Sequence, residues 1–593
     1  MKRIFLMMFI AGSLASCKQG DSSGSAAAGN KDLAKVFEDY YQDGLKLDPI
    51  TATFNGDNRY NDLLPNYGSE AYLKEDKEYY TKYLDKVKQF KREDLNEADQ
   101  LSYDIFTYEA QMALDGFKFH TEYMPFNQFN ALPITIGQFG SGSGTQPFKN
   151  VKDYDNWLKR LNAFAVWADT AIVNFNKGIK TGMVLPKSLV VKMIPQMDAM
   201  VVTDPTKSLF YGPITRLPKE FSDADKKRLA DDYKKAITTV VVPTYKKLGD
   251  YLKGTYLAKG RSTSGLSSLP DGNALYAYYV KLQTTTDKTP EQIYQTGLSE
   301  VARIRKAMDS IKNVVGFKGD LPAFFAYMKN DPKFFPFKTP KQVLDAFENI
   351  HQRMQPNLKK EFTHVPKCPF EIRQTEAFRA ASASAEYYQG TPDGSRPGIF
   401  YVPILDATKF NITSGMESLF LHEAIPGHHY QISLTQENTS LPDFRRFDGN
   451  ENAYVEGWAL YCESLGKELG LFTDPYQHMG ALGDEIHRAI RLVVDVAIHT
   501  KGMTREQAIK YMMDNEQIDE QGATAEIERY MAYPAQALSY KTGALKIREL
   551  RTRYEKKQGS KFDIAEFHNQ VLKDGAMPLS VFEAKMDAWA AKQ

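Results

Sequence analysis

The chain of 593 residues balances 75 Lys and Arg against 74 Asp and Glu, which leaves no basic field to attract nucleic acid. It is 42% hydrophobic with 35 Phe and 34 Tyr, enough for a large core, and it is longer than one compact core usually supports. Two lobes are therefore expected. Three cysteines are too few for a disulfide framework.

At the N-terminus, Lys2 and Arg3 precede an apolar run from Ile4 to Leu14, of signal-peptide length and too short to span a bilayer as a mature helix. Leu14-Ala15-Ser16-Cys17 then resembles the bacterial lipobox. That resemblance implies a signal peptide over residues 1–16, a lipid on Cys17, and a place in the bacterial cell envelope, periplasmic or surface-facing. Residues 17–31 are rich in Ser, Gly and Ala and read as a flexible tether. No later stretch is long and apolar enough for a transmembrane helix. Cys368 and Cys462 could pair in an oxidising compartment, but buried, inert thiols are the favoured reading.

Beyond the tether, three-to-four spacing of apolar residues predicts helices over residues 32–42, 70–91, 96–114, 151–176, 223–252, 289–314 and 340–358. Thr289-Pro290-Glu291-Gln292 gives one of them a start signal with Pro at the first helical position. A second set is predicted over 412–435, 452–469, 482–500, 504–515, 524–533 and 538–558. The best strand candidate is Gly398 to Leu405. Breaks are expected at 137–146, 260–272 and 389–397. The Gly140-Ser141-Gly142-Ser143-Gly144 run lacks the Lys-Ser/Thr of a phosphate loop and reads as a mobile loop near a cleft. The expected fold is mainly α, a two-lobed helical body over residues 32–593 with a deep central cleft and a minor sheet near the metal-binding helix. Its N-terminal lobe is placed at about 32–260 and its catalytic lobe at about 273–593.

His422-Glu423-Ala424-Ile425-Pro426-Gly427-His428 carries the functional argument. Histidines four apart on a helix share a face and reach one zinc ion. Six apart, as here, they would sit about 240° apart around a straight helix and could not. Pro426 lacks an amide hydrogen and clashes with the carbonyl four residues back, which is that of His422. Gly427 tolerates unusual backbone angles. A two-residue bulge inside one helix is therefore expected to bring His428 to His422.

Leu421-His422-Glu423-Ala424-Ile425-Pro426-Gly427-His428-His429, with Val455-Glu456-Gly457-Trp458-Ala459 and the segment from Tyr530 to Tyr540, resembles the DUF885 family, related to gluzincin metallopeptidases of the helical oligopeptidase and angiotensin-converting type. The resemblance implies one zinc ion per chain held by His422, His428 and Glu456, with Glu423 as general base and water in the fourth position. Gly457 would allow the helix of Glu456 a close approach. His429 is either a residue supporting the donors or solvent-facing. Glu463, two turns past Glu456, either orients a ligand histidine or makes an ordinary salt bridge.

An oxyanion needs donors besides the metal. Tyr540 is the first choice, by its position in a segment similar to the tyrosine-bearing helix of related peptidases; Tyr533 and His499 follow. Arg488, Arg491, Asp495 and His499 share one helix face, either a surface stripe or a charged cleft wall in which Arg491 meets a peptide carboxylate. Gly398 to Leu405, with Tyr401, is expected to form an edge strand that pairs with extended substrate, although Pro403 cannot donate one of those bonds. The leading expectation is zinc-dependent hydrolysis of short peptides. A zinc hydrolase of peptidoglycan peptides and a non-catalytic nutrient-binding lipoprotein are the alternatives.

Overall fold

The computed structural model describes residues 29–376, 380, 384–447, 449 and 451–593. The signal segment and Cys17 lie outside the described residues. Helix accounts for 68% of the structure and strand for 3%, so the mainly helical fold with a minor sheet is as expected. Start signals act where the sequence placed them. Thr289 and Gln292 form a reciprocal capping box ahead of the Pro290–Val314 helix, and Thr339 with Gln342 does so ahead of Pro340–Glu361. The helix expected over 223–252 continues through residue 259, with π-helical turns at Ile237–Val241 and Leu252–Tyr256.

Helices not anticipated include Leu132–Gly140, Lys187–Asp198 and Gly272–Thr284. The first runs into the segment expected as a break. Its last residue is glycine because Phe210 leaves no room for a side chain: a Cβ added to Gly140 would lie 2.4 Å from that ring.

Buried side chains do not divide at residue 260. One core lies wholly between Leu64 and Tyr256, around Trp157, Phe164 and Tyr245. A second joins Phe37, Tyr40 and Phe106 to Phe444, Trp458 and Leu550; the rings of Phe37 and Phe444 are 5.0 Å apart. The buried residues from Leu33 to Leu45 and from Tyr83 to Ala110 thus pack with the half that bears the candidate metal centre, while Leu64 belongs to the first core.

The sheet contains β1 (Phe370–Gln374), β2 (Glu386–Tyr388) and β3 (Gly398–Val402) in the order β1-β3-β2, with β1 parallel and β2 antiparallel to β3. The expected edge strand is therefore the central one. Gly398, Ile399, Phe400 and Val402 are all buried, the near-continuous apolar run of a strand covered on both faces. Among the described residues β1 and β2 are the two outer strands. Cys368 and Cys462 are both free and buried, and burial pushes the Cys462 thiol well up.

The helices Asn452–Glu463 and Ser539–Gln558 cross with their backbones touching. A Cβ on Gly543 would stand 1.7 Å from the Ala453 carbonyl oxygen, and one on Gly457 would stand 2.5 Å from the Gly543 Cα. Gly543→Ala is expected to force the helices apart and destabilise the protein by about 1–3 kcal/mol. Thermal unfolding checks this, and an unchanged midpoint would show that the crossing tolerates a methyl group.

Candidate metal centre

The predicted single helix over 412–435 is two helices, Met416–Glu423 and His428–Glu437, joined by a tight turn. The expected bulge is thus a full break. Its causes are the residues already suspected. The Ile425–Pro426 peptide is cis. A Cβ on Gly427 would lie 1.9 Å from the His422 carbonyl oxygen and 2.4 Å from that of Leu421, so glycine alone allows the chain to double back there. The Ala424 N–H still donates to Phe420, and the His429 N–H reaches back to the Ala424 carbonyl at 3.2 Å. The Trp458 indole N–H closes the turn by donating to the Pro426 carbonyl at 2.9 Å.

The break brings the two histidines together. Their ring centres are 4.9 Å apart and the planes are perpendicular, at 89°. Nε2 of His422 lies 3.5 Å from Glu456 Oε2, and Nε2 of His428 lies 3.6 Å from the same oxygen. Ligands about 2.0–2.1 Å from a tetrahedral zinc stand roughly 3.3–3.4 Å from one another, so these two separations are close to those such an ion needs. Glu456 Oε2 is buried and accepts no hydrogen bond, an orphaned donor atom that a metal would satisfy. The Glu423 carboxylate lies within 4.8 Å of a nitrogen of each histidine.

Glu463 orients the centre. Its Oε1 takes the His422 Nδ1–H at 2.7 Å, which turns Nε2 toward Glu456. Arg488 stands 3.6 Å behind Glu463. Burial disfavours a charged His422, yet the Glu456 and Glu463 carboxylates override it and push the imidazole up to about 10. Burial would raise Glu456, but the two histidines hold it well below the usual carboxylate range. Glu423 is raised, chiefly by burial.

A cavity of about 500 Å³ opens on these residues, walled further by Glu386 and Tyr387 of β2 and by Arg491, Glu526, Arg529 and Tyr540. The Arg491 guanidinium covers the Tyr540 ring at 4.8 Å. It donates from Nε to the Tyr530 hydroxyl at 2.9 Å and from Nη2 to Glu526 at 3.0 Å; Nη1 is buried without a partner. Arg488 and Arg491 are thus cleft-wall residues.

Other expected residues lie elsewhere. Asp495 and His499, on the same helix, turn into the core. Asp495 accepts from the Tyr276 hydroxyl at 2.6 Å. His499 accepts the Leu266 N–H on Nδ1 and donates from Nε2 to the Tyr530 carbonyl, each at 3.1 Å, while burial drives it down to about 3. A neutral ring with both nitrogens engaged is a structural tie, so the expected catalytic role of His499 is withdrawn. Tyr401 packs edge-on against Tyr388, 5.4 Å between ring centres, and does not wall the cavity. Nor does Tyr533, which faces Phe129 instead. His429 is buried, held down to about 4 by that burial, and its Nδ1 meets the Tyr387 hydroxyl at 3.0 Å; it supports β2 and not the donors.

Glu386, Tyr387, Glu526 and Arg529 escaped the sequence reading. Glu526 sits one turn before Tyr530 and Arg529 immediately before it, and that proximity to the Tyr530–Tyr540 segment was the available signal. Glu463→Gln is expected to weaken zinc affinity about 10–100-fold, read by competition with a chromophoric chelator. Unchanged affinity would reduce the Glu463–His422 bond to packing.

The family model of a bacterial protein of unknown function, DUF885, matches residues 49–586. A candidate lipoprotein from Colwellia psychrerythraea superposes at a TM-score of 0.84 and 27% identity, over 95% of this chain and 99% of that one. A candidate lipoprotein of unknown function from Shewanella oneidensis gives 0.75 and 21%, over 94% and 100%, and shares the fold. A Pyrococcus furiosus carboxypeptidase aligns at only 0.39 and 8%, over 95% and 99%, too distant to bear on function. No curated protein matches the sequence. With the His-Glu-Ala-Ile-Pro-Gly-His turn and its glutamate helix inside the matched span, the chain belongs to the DUF885 family.

Proposed function

We propose that the protein hydrolyses peptide bonds in short peptides as a gluzincin-type zinc metallopeptidase. The observation that carries this reading is the convergence of two Nε2 atoms on Glu456 Oε2 with Glu423 beside them. His422, His428 and Glu456 would hold the metal. Zinc bound by three protein donors supplies Lewis acidity and acidifies a water toward a pKa of about 7. Glu423 takes the proton from the attacking water and passes it to the leaving amine. Tyr540, its ring fixed beneath Arg491, directs its hydroxyl to the developing oxyanion. The unpartnered Nη1 of Arg491 offers a donor to a substrate carbonyl or carboxylate. Along the cavity wall, the outer strand β2 suits an extended peptide backbone.

We also infer a lipid anchor on Cys17 and a place in the cell envelope. The lipobox resemblance and the candidate-lipoprotein relatives support it. No helix among the described residues is long and apolar enough to cross a membrane.

Digestion of a mixed synthetic peptide library with zinc supplied, read by mass spectrometry beside Glu423→Gln, tests the activity. Cleavage by the parent and none by the variant is expected. One zinc bound per chain with no cleavage would remove peptides as the substrate. Tyr540→Phe is expected to lower kcat about 10²-fold or more with little change in KM; an unchanged kcat would return Tyr540 to packing.

A further inference from the structure

One wall residue of the cavity is backed by two distant parts of the chain. Arg529, a wall residue, sits over the Phe129 ring at 5.3 Å, and the Tyr533 ring lies 6.3 Å from that of Phe129. Phe129 comes from a loop 400 residues earlier in the chain, between the buried Phe126 and Ala131.

A lone exposed phenylalanine on a loop is ordinary. Phe129 is 47% exposed, but its loop is held rigidly. Asn127 Oδ1 accepts the N–H groups of Phe129 and Asn130 at 2.9 and 2.7 Å. Asn127 Nδ2 donates to the Ala532 carbonyl at 2.9 Å, and Gln128 Nε2 donates to the Glu528 carbonyl at 3.0 Å. Gln196 fastens the Gln128 carbonyl from the other side, at 2.9 Å. Two side chains of the loop thus cap the last turn of the helix that carries Glu526 and Arg529. The result is a fixed, half-exposed aromatic face against Arg529, a wall residue of the polar cavity. Beside it, Arg529 Nε is buried without a partner.

We propose that Phe129, with Tyr533 and Arg529, forms a subsite that holds one bulky apolar side chain of the peptide. This rests on the peptide-hydrolysis reading. The ring of Phe129 and that of Tyr533 cover the apolar group, and the guanidinium of Arg529 bonds the backbone carbonyl beside it. A loop from the N-terminal half would then set the selectivity of a centre assembled in the C-terminal half.

The test compares the full chain with Phe129→Ala and Phe129→Trp on a peptide set that varies Phe, Leu and Ala at each position around the cut. Binding of the same peptides is measured in a Glu423→Gln background by calorimetry. At one position, Phe129→Ala is expected to raise KM and Kd about tenfold for Phe and Leu peptides and to leave Ala peptides unchanged. Phe129→Trp is expected to retain the preference. A uniform loss across all peptides, or no change in Kd, overturns the subsite. If the parent cuts nothing, hydrolysis fails as the function, and the subsite stands or falls on the side-chain dependence of Kd. The half-exposed ring makes a folding defect from Phe129→Ala small, and an unchanged thermal midpoint verifies that control.

Discussion

Two helices can cross with their backbones in contact only where neither carries a side chain at the crossing, and Gly457 and Gly543 supply that point. Three consecutive residues exploit it. Glu456 presents its carboxylate to the two histidines. Gly457 admits the helix that bears Tyr540. Trp458 reaches the other way and ties the Pro426 carbonyl. The third donor, the oxyanion candidate and the turn that pairs the histidines are therefore set by one register. A shift of one residue along the Asn452–Glu463 helix would lose all three together.

Much of this centre was legible in the sequence because its rules are local. A proline four residues after His422 must break the helical ladder, and Gly427 then permits the reversal. The extent of the break was not legible. Whether a helix bulges or stops depends on what receives the freed carbonyls, and here that includes Trp458, 32 residues away. Glu463 was legible as one of two possibilities, since spacing along a helix cannot show what faces it.

The failures share one cause, which is that local pattern does not specify partners. Arg488, Arg491, Asp495 and His499 do lie on one side of their helix, but the cavity covers only its first half. Tyr276, Leu266 and Tyr530 claim the rest. β3 reads as an apolar strand from sequence, yet its neighbours were invisible there: β2 is three residues long and β1 has the half-exposed pattern of an edge. The aromatic stripe of Phe37, Tyr40 and Phe106 packs with Phe444, across the expected lobe division, because chain order is a poor guide to which stripes meet.

That last arrangement bears on how the protein is made. Phe37 and Tyr40 complete their core only with Phe444, and Glu97 is paired with Lys592, at the far end of the chain. The first helices to emerge during synthesis thus find their partners among the last. Contacts of such sequence separation close slowly, and a waiting apolar face invites aggregation. Translocation in an unfolded state would suit this chain, since the half that bears the candidate metal centre cannot be finished before its C-terminal segment has arrived.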